Sequence, residues 1–214
     1  LRMALLVMIR YLSLMTYYLN KNIPVHIITL LGNQISEYYL NEIEPTWNLF
    51  GYDNIRIFNG ITPETIEERC PIKLDFIYKR KIGRELKYFT PTEKACWYSH
   101  YYLWRKIRRE GVPAIVAEHD CKLLQQLPAS LEQYDIRSFA SHHIKKCLMA
   151  ASAYYITPKG ADRLIENVGS INQNVDGYIL NQPNQTDFKK QIYINTYAQV
   201  IYNKKVGTTI NHDK

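Results

Sequence analysis

The sequence predicts an α/β domain with a mixed central sheet flanked by helices, and three observations lead there. Val25-His26-Ile27-Ile28-Thr29-Leu30 is an apolar run after Pro24, followed by helical spacing and then a second short run, Ile55 to Phe58. That is a strand, helix, strand beginning. A well-marked helix from Thr90 feeds directly into a third apolar run, Ala114-Ile115-Val116-Ala117. A fourth run, Ala151 to Ile156, precedes the helix start Thr157-Pro158.

Each element carries its own signal. Gly32-Asn33 reads as a turn after the first strand. Leu40, Ile43, Trp47 and Phe50 then recur at helical spacing, with Pro45 implying a kink or a late start. Asn59-Gly60 closes the second strand. Residues 63–89 are polar and irregular, rich in Lys79, Arg80, Lys81, Arg84 and Lys87, and read as a long surface excursion of the kind used as lids or binding loops. Thr90-Pro91-Thr92-Glu93 supplies an N-cap, a Pro at the first helical position and a Glu that completes a capping box. Cys96, Ser99, Leu103 and Ile107 form its inward stripe, with Tyr102 and Trp104 flanking, and Gly111 and Pro113 end it. Residues 121–146 read as helix and loop, the Thr157-capped helix reaches about Asn167, and Gln191 to Thr196 is a last strand. Residues 206–214 read as a tail.

A length of 214 residues suits one domain with a sizeable core. Residues 23–214 are expected to form it, with residues 1–22 a helical extension or a non-native start. Met3 to Ile9 is apolar but too short to span a bilayer. It reads as a packed helix, a weak membrane-surface anchor, or translation upstream of a true start at Met15. No transmembrane segment is expected elsewhere. The net charge of +7 favours phosphorylated or polyanionic partners: nucleotides, nucleic acid or anionic headgroups. The 18 tyrosines suit both strands and half-buried walls of polar-ligand sites. Cys70, Cys96, Cys121 and Cys147 have no C-x-x-C spacing, which argues against a zinc or redox motif and for core thiols in a reducing, cytoplasmic setting.

Chemistry concentrates at Glu118-His119-Asp120, directly after a short apolar strand. Ligands of open α/β sheets bind beyond the carboxyl ends of strands. Two carboxylates one residue apart can share a hard divalent cation, Mn²⁺ or Mg²⁺, that also takes phosphate oxygens. The bland alternative is a solvated turn.

The segment Phe89-Thr90-Pro91-Thr92-Glu93-Lys94-Ala95-Cys96-Trp97-Tyr98-Ser99-His100, then Leu103-Trp104, then Gly111-Val112-Pro113 leading into Ala117-Glu118-His119-Asp120, resembles glycosyltransferase family 25. That family includes lipooligosaccharide and collagen galactosyltransferases. Its pattern here is a Cys-x-x-Ser-His helix followed by a strand ending Glu-Asp-Asp. Phe58-Asn59-Gly60, Ala153 to Ala161, Val175-Asp176 and Gly207 to Ile210 are similar to its further motifs. His119 stands where the family has its middle Asp, Thr29-Leu30-Leu31-Gly32 where it has Asn-Leu-Asp-Arg, and Thr92 and Ala95 where it has glycines.

The resemblance implies a GT-A-like fold and metal-dependent, inverting transfer of a hexose from a nucleotide-sugar donor, UDP-linked by expectation. The acceptor would be a glycan, lipid-linked or protein hydroxyl. Glu118 and Asp120 are the expected metal ligands, with Glu118 also at the donor. Thr29, Leu30, Ser99 and His100 are expected donor contacts, with core packing the alternative for Ser99 and His100. Asp176 is the expected general base, with a turn-forming Asp before Gly177 as the alternative. Lys79, Arg80, Lys81 and Arg84 are candidates to grip a diphosphate, and His142, His143 and His212 for a further metal ligand; a solvated surface is the alternative for all seven. Two other functions stay open: a non-catalytic binding protein on this fold, and a protein acting on nucleic acid.

Overall fold

The computed structural model describes residues 22–77, 79–80, 86–128, 131–142, 150–182, 188–192, 197–201 and 206. In chain order these hold β1 (Val25–Thr29), α1 (Gln34–Leu49), β2 (Ile55–Asn59), a 3₁₀ turn (Pro63–Thr65) running into α2 (Ile66–Arg69), β3 (Lys79–Arg80), β4 (Leu86–Lys87) and α3 (Pro91–Glu110). There follow β5 (Ala114–Glu118), β6 (Cys121–Leu123), a 3₁₀ turn (Leu131–Gln133), β7 (Ile136–Ser138), β8 (Ala140–His142), β9 (Ala153–Ile156), α4 (Pro158–Glu166), α5 (Val175–Leu180), β10 (Lys190–Ile192) and β11 (Ala198–Val200).

The central sheet is mixed, as the sequence predicts, in the order β10-β7-β9-β5-β1-β2. β1 pairs in parallel with both β2 and β5, so the three carboxyl ends meet at one edge, with Ile28 opposite both Phe58 and Glu118. β9 runs antiparallel to β5 and β7, and β10 parallel to β7.

Side-chain alternation splits the core into two layers. Ala114, Val116, Tyr154 and Ile156 face Trp97, Leu103, Trp104 and Ile107 of α3, Leu164 of α4 and Tyr178 of α5. Val25, Ile27, Ile115 and Ala117 face Ile43 and Trp47 of α1 and the small sheet β6-β11-β8.

Helix α3 is held as its sequence predicts. Thr90 Oγ1 accepts from Glu93 N–H, Glu93 Oε2 accepts from Thr90 N–H at 2.9 Å, and Gly111 closes the helix at φ 68°. Such a box satisfies two of the helix's orphan donors. Its buried face is wider than the expected stripe. Trp97, Tyr98, His100, Tyr101 and Trp104 are all buried, because the helix packs under the sheet on one side and under residues 61–76 on the other.

Several expectations need correcting. Helix α1 starts at Gln34, capped by Asn33, and runs through Pro45 instead of starting after it. Pro45 and Asn41 are both exposed, so water can reach the carbonyl that the proline leaves unpaired. Residues 63–76, the first part of the expected surface excursion, are largely exposed but anchored to the body of the protein. Cys70 is fully buried, and Phe76 lies edge-on to Phe89 and Trp97. Residues 121–142 are strand-rich instead of helical: β6, β7 and β8 lie there. Their three-residue runs are too short to display a period. Asp176 lies in the first turn of α5, capped by Asn174, and not in a loop.

Residues 1–21, Cys147, His143, His212, the stretch 193–196 and the Gly207 to Ile210 motif lie outside the described residues, as do the side chains of Lys79, Arg80, Lys81, Arg84, Lys87 and His142. Among the described residues no helix is long and apolar enough to cross a membrane.

Candidate functional site

A cleft of ≈ 280 Å³ opens at the joint carboxyl edge of β1, β2 and β5. Its walls include Thr29, Leu30, Ser99, His100, Glu118 and Asp120, six of the seven site residues expected from sequence. Asp176 is the exception and does not line it.

Period-two alternation explains how Glu118 reaches the cleft. It follows Ala114 and Val116 on the face covered by α3, so its carboxylate meets the first turns of that helix. Oε1 lies 3.4 Å from His100 Nε2 and 4.0 Å from Cys96 Sγ, while Oε2 accepts from Ser152 Oγ at 2.7 Å. Burial pushes the Glu118 carboxyl up, but His100 and Ser152 outweigh it and hold it below the ordinary carboxylate value.

His100 is itself oriented from behind. Trp104 Nε1–H donates to the Tyr154 hydroxyl at 2.7 Å, and that hydroxyl lies 3.0 Å from His100 Nδ1. Burial raises the Tyr154 phenol well above its ordinary range, so it keeps its proton. Glu118, held ionised, can only accept, so Nε2 is the ring nitrogen that donates toward it, and the Tyr154 hydroxyl holds Nδ1 from the other side. Trp104, Tyr154, His100 and Glu118 thus form one directed chain.

Asp120 is different. Its Oδ1 is buried with no hydrogen-bond partner among the described residues. Burial, then the charge of Glu118, pushes its carboxyl from 3.8 to about 8. A buried unpaired carboxylate oxygen beside a second carboxylate is costly alone and is relieved by a cation. The orphaned Asp120 oxygen is where a hard divalent cation would relieve the most cost, with Glu118 the second carboxylate on the same cleft.

Cys96, His100 and Glu118 also bring one donor atom each within 4.8 Å of one another. A soft-metal site there is disfavoured. Burial keeps the Cys96 thiol protonated well above its ordinary range, and the His100 Nε2 lone pair carries the ring proton. The trio reads as donors converging on Glu118.

The remaining expected contacts are partly committed to structure. Ser99 Oγ accepts from Ile61 N–H at 2.7 Å and donates to the Ala95 carbonyl at 2.9 Å. Thr29 Oγ1 lies 3.1 Å from Ser36 Oγ, which also accepts from Leu30 N–H. These residues shape the cleft and fix the exits of β1 and β2. His119 packs near Tyr39, and its N–H donates to the Ile28 carbonyl. Burial lowers its pKa.

Asp176 sits behind this wall. Its Oδ1 accepts from Ala151 N–H at 2.8 Å, next to Ser152. Burial, then the charge of Glu118, raises its carboxyl to about 6.

Sequence reasoning missed Ser152, Tyr154 and Trp104 as supports of Glu118. For Tyr154 the signal was present in its position opposite Val116 on the helix-covered face, legible only once β9 is paired with β5.

Residues 52–146 match the sequence model of glycosyltransferase family 25 (LPS biosynthesis protein). The match takes in β2, α3, β5 and the whole Glu118-His119-Asp120 turn. The resemblance read from Phe89 to Asp120 is borne out over this stretch. No match was found among curated proteins.

Proposed function

We propose that the chain is a nucleotide-sugar-dependent glycosyltransferase of GT-A type whose cleft binds the donor diphosphate through a divalent cation held by Glu118 and Asp120. The observation that carries this reading is the orphaned, buried Asp120 Oδ1 beside Glu118 on a cleft at the carboxyl ends of three parallel strands. Mn²⁺ or Mg²⁺ there would neutralise charge developing on the leaving diphosphate.

The chain's own residues do the rest. The chain from Trp104 through Tyr154 and His100, with Ser152 opposite, fixes Glu118 in one orientation, as supporting shells of metal ligands do. Thr29 and Leu30 border the donor side. Asp176 is the base expected from sequence; it lies outside the cleft lining with Oδ1 on the Ala151 N–H, so it serves as base in an inverting transfer only if its other carboxylate oxygen reaches an acceptor bound beyond that lining. Its value of about 6 lets it exchange protons near neutrality. Among the described residues Cys70, Cys96 and Cys121 are free thiols, in keeping with a proposed reducing, cytoplasmic setting.

The test is calorimetric titration with UDP, UDP-galactose and UDP-glucose, with and without Mn²⁺. Mn²⁺-dependent binding that disappears in Asp120→Asn is the expected result. Binding that ignores both the ion and position 120 defeats the reading.

A further inference from the structure

A second concavity, of ≈ 490 Å³, adjoins the cleft. It is lined by Arg69, Arg105, Lys106, Arg108 and Arg109, over an apolar floor of Phe58, Ile61 and Tyr102. Ile61 borders both spaces, and its N–H is pinned by Ser99.

Three of the five cations are already engaged. Lys106 pairs with Glu110, Arg108 with Asp162 at 2.9 Å, and Arg69 donates to the Gly60 and Asn59 carbonyls. Arg105 lies over the Tyr102 ring at 5.5 Å, and neither it nor Arg109 makes an ion pair among the described residues. The basic end of α3 complements its helix dipole, but that requires neither a concave wall nor an aromatic floor.

We infer that this groove holds a phosphate monoester carried by the sugar acceptor, with the sugar against Phe58 and Tyr102 and the phosphate between Arg105 and Arg109. Guanidinium forks match phosphate oxygens in pairs, and aromatic faces accept the apolar side of a sugar ring. Ile61, common to both walls, makes this groove a neighbour of the donor cleft. A duplex would need a longer basic stripe than this bounded hollow gives. This inference rests on the glycosyltransferase reading, since it names the acceptor for that same site.

The test uses glucose 6-phosphate as probe, titrated at low salt into the whole chain and into an Arg105→Glu/Arg109→Glu double variant. UDP with Mn²⁺ is titrated in parallel. Glucose 6-phosphate should bind the parent, weaken at least tenfold in the variant, and give way to no signal with glucose, while UDP binding stays unchanged. Equal binding to parent and variant, or none to the parent, overturns the proposal. So does arginine-dependent binding of phosphatidic acid vesicles or of DNA in place of the sugar phosphate. Sugar-phosphate binding alongside a failure of UDP in both proteins removes the acceptor role by sinking the donor reading, which separates the two failures.

Discussion

His100 and Glu118, on α3 and β5, meet at 3.4 Å across the cleft wall, and the histidine is nearly inaccessible, with 1% of its surface exposed. A buried ring that donates to a carboxylate has to be oriented by its other nitrogen. Here the Tyr154 hydroxyl does so, and Trp104 orients the hydroxyl in turn.

Tyr154→Phe removes that hydroxyl from a fully buried position. It leaves the Trp104 N–H unsatisfied and frees the His100 ring to change tautomer. A buried donor without a partner costs about 1–3 kcal/mol, which urea denaturation will register. Mn²⁺ affinity should fall about 10–100-fold, the usual effect of losing a support behind a metal ligand. An unchanged Mn²⁺ titration would show that the chain of hydrogen bonds does not act on Glu118.

Gly160 lies in the first turn of α4, against the chain that enters β7. A Cβ there would stand 2.3 Å from the Asp135 carbonyl oxygen, closer than any van der Waals contact. The obstacle is backbone, anchored by the Thr157 N–H bond to the same carbonyl, so it cannot swing aside. Gly160→Ala should destabilise by at least about 1–3 kcal/mol, the usual cost of overpacking. A melting curve superimposable on the parent's would contradict this close approach.

These two sites show what was readable beforehand and what was not. The caps of α3, the β1 and β5 strands and the convergence of Glu118 and Asp120 on one cleft follow from local signals: Thr90-Pro91-Thr92-Glu93, Gly111, and apolar runs that stop at acids. The support of Glu118 by Ser152 and Tyr154 depends on antiparallel pairing of β9 with β5, a non-local register that no local pattern encodes. The same reason hid β6, β8 and β11, three-residue strands that exist because they pair with one another over the Trp47 side of the sheet. Asp176 was placed by its motif, yet Asn174 capping α5 turns it toward the Ala151 N–H and away from the cleft lining.

Asp120 makes stability and metal affinity depend on pH in opposite ways. Its folded value, about 8, lies above its ordinary 3.8. A raised carboxyl contributes stability fully below about pH 4, and that contribution is lost as pH rises through 8. The metal-free protein should therefore melt at a lower temperature at pH 8.5 than at pH 5.5. Asp120→Asn should flatten the difference. Mn²⁺ must displace the proton, so its affinity should rise with pH up to about 8, with proton release visible as a buffer-dependent heat. A parent and variant with the same pH profile would remove Asp120 from the charge balance of the cleft.

Asp176 gives the sharpest test of the proposed base. Its carboxyl titrates at about 6, so kcat/KM should climb with pH through 6 as the proton leaves. Asp176→Asn keeps an oxygen to accept the Ala151 N–H, so the turn that carries Ser152 stays in place. It also removes a charge that burial and Glu118 disfavour. Since the folded value exceeds the ordinary 3.8, ionised Asp176 reduces stability at neutral pH, and the variant should be no less stable than the parent at pH 7. A general base contributes about 10²–10⁴-fold, so kcat should fall by that factor while the donor KM changes little and the limb near pH 6 disappears. A kcat within a few fold of the parent, with the limb intact, would reduce Asp176 to a clamp on the Ala151-Ser152 turn and move the search for the base to another group.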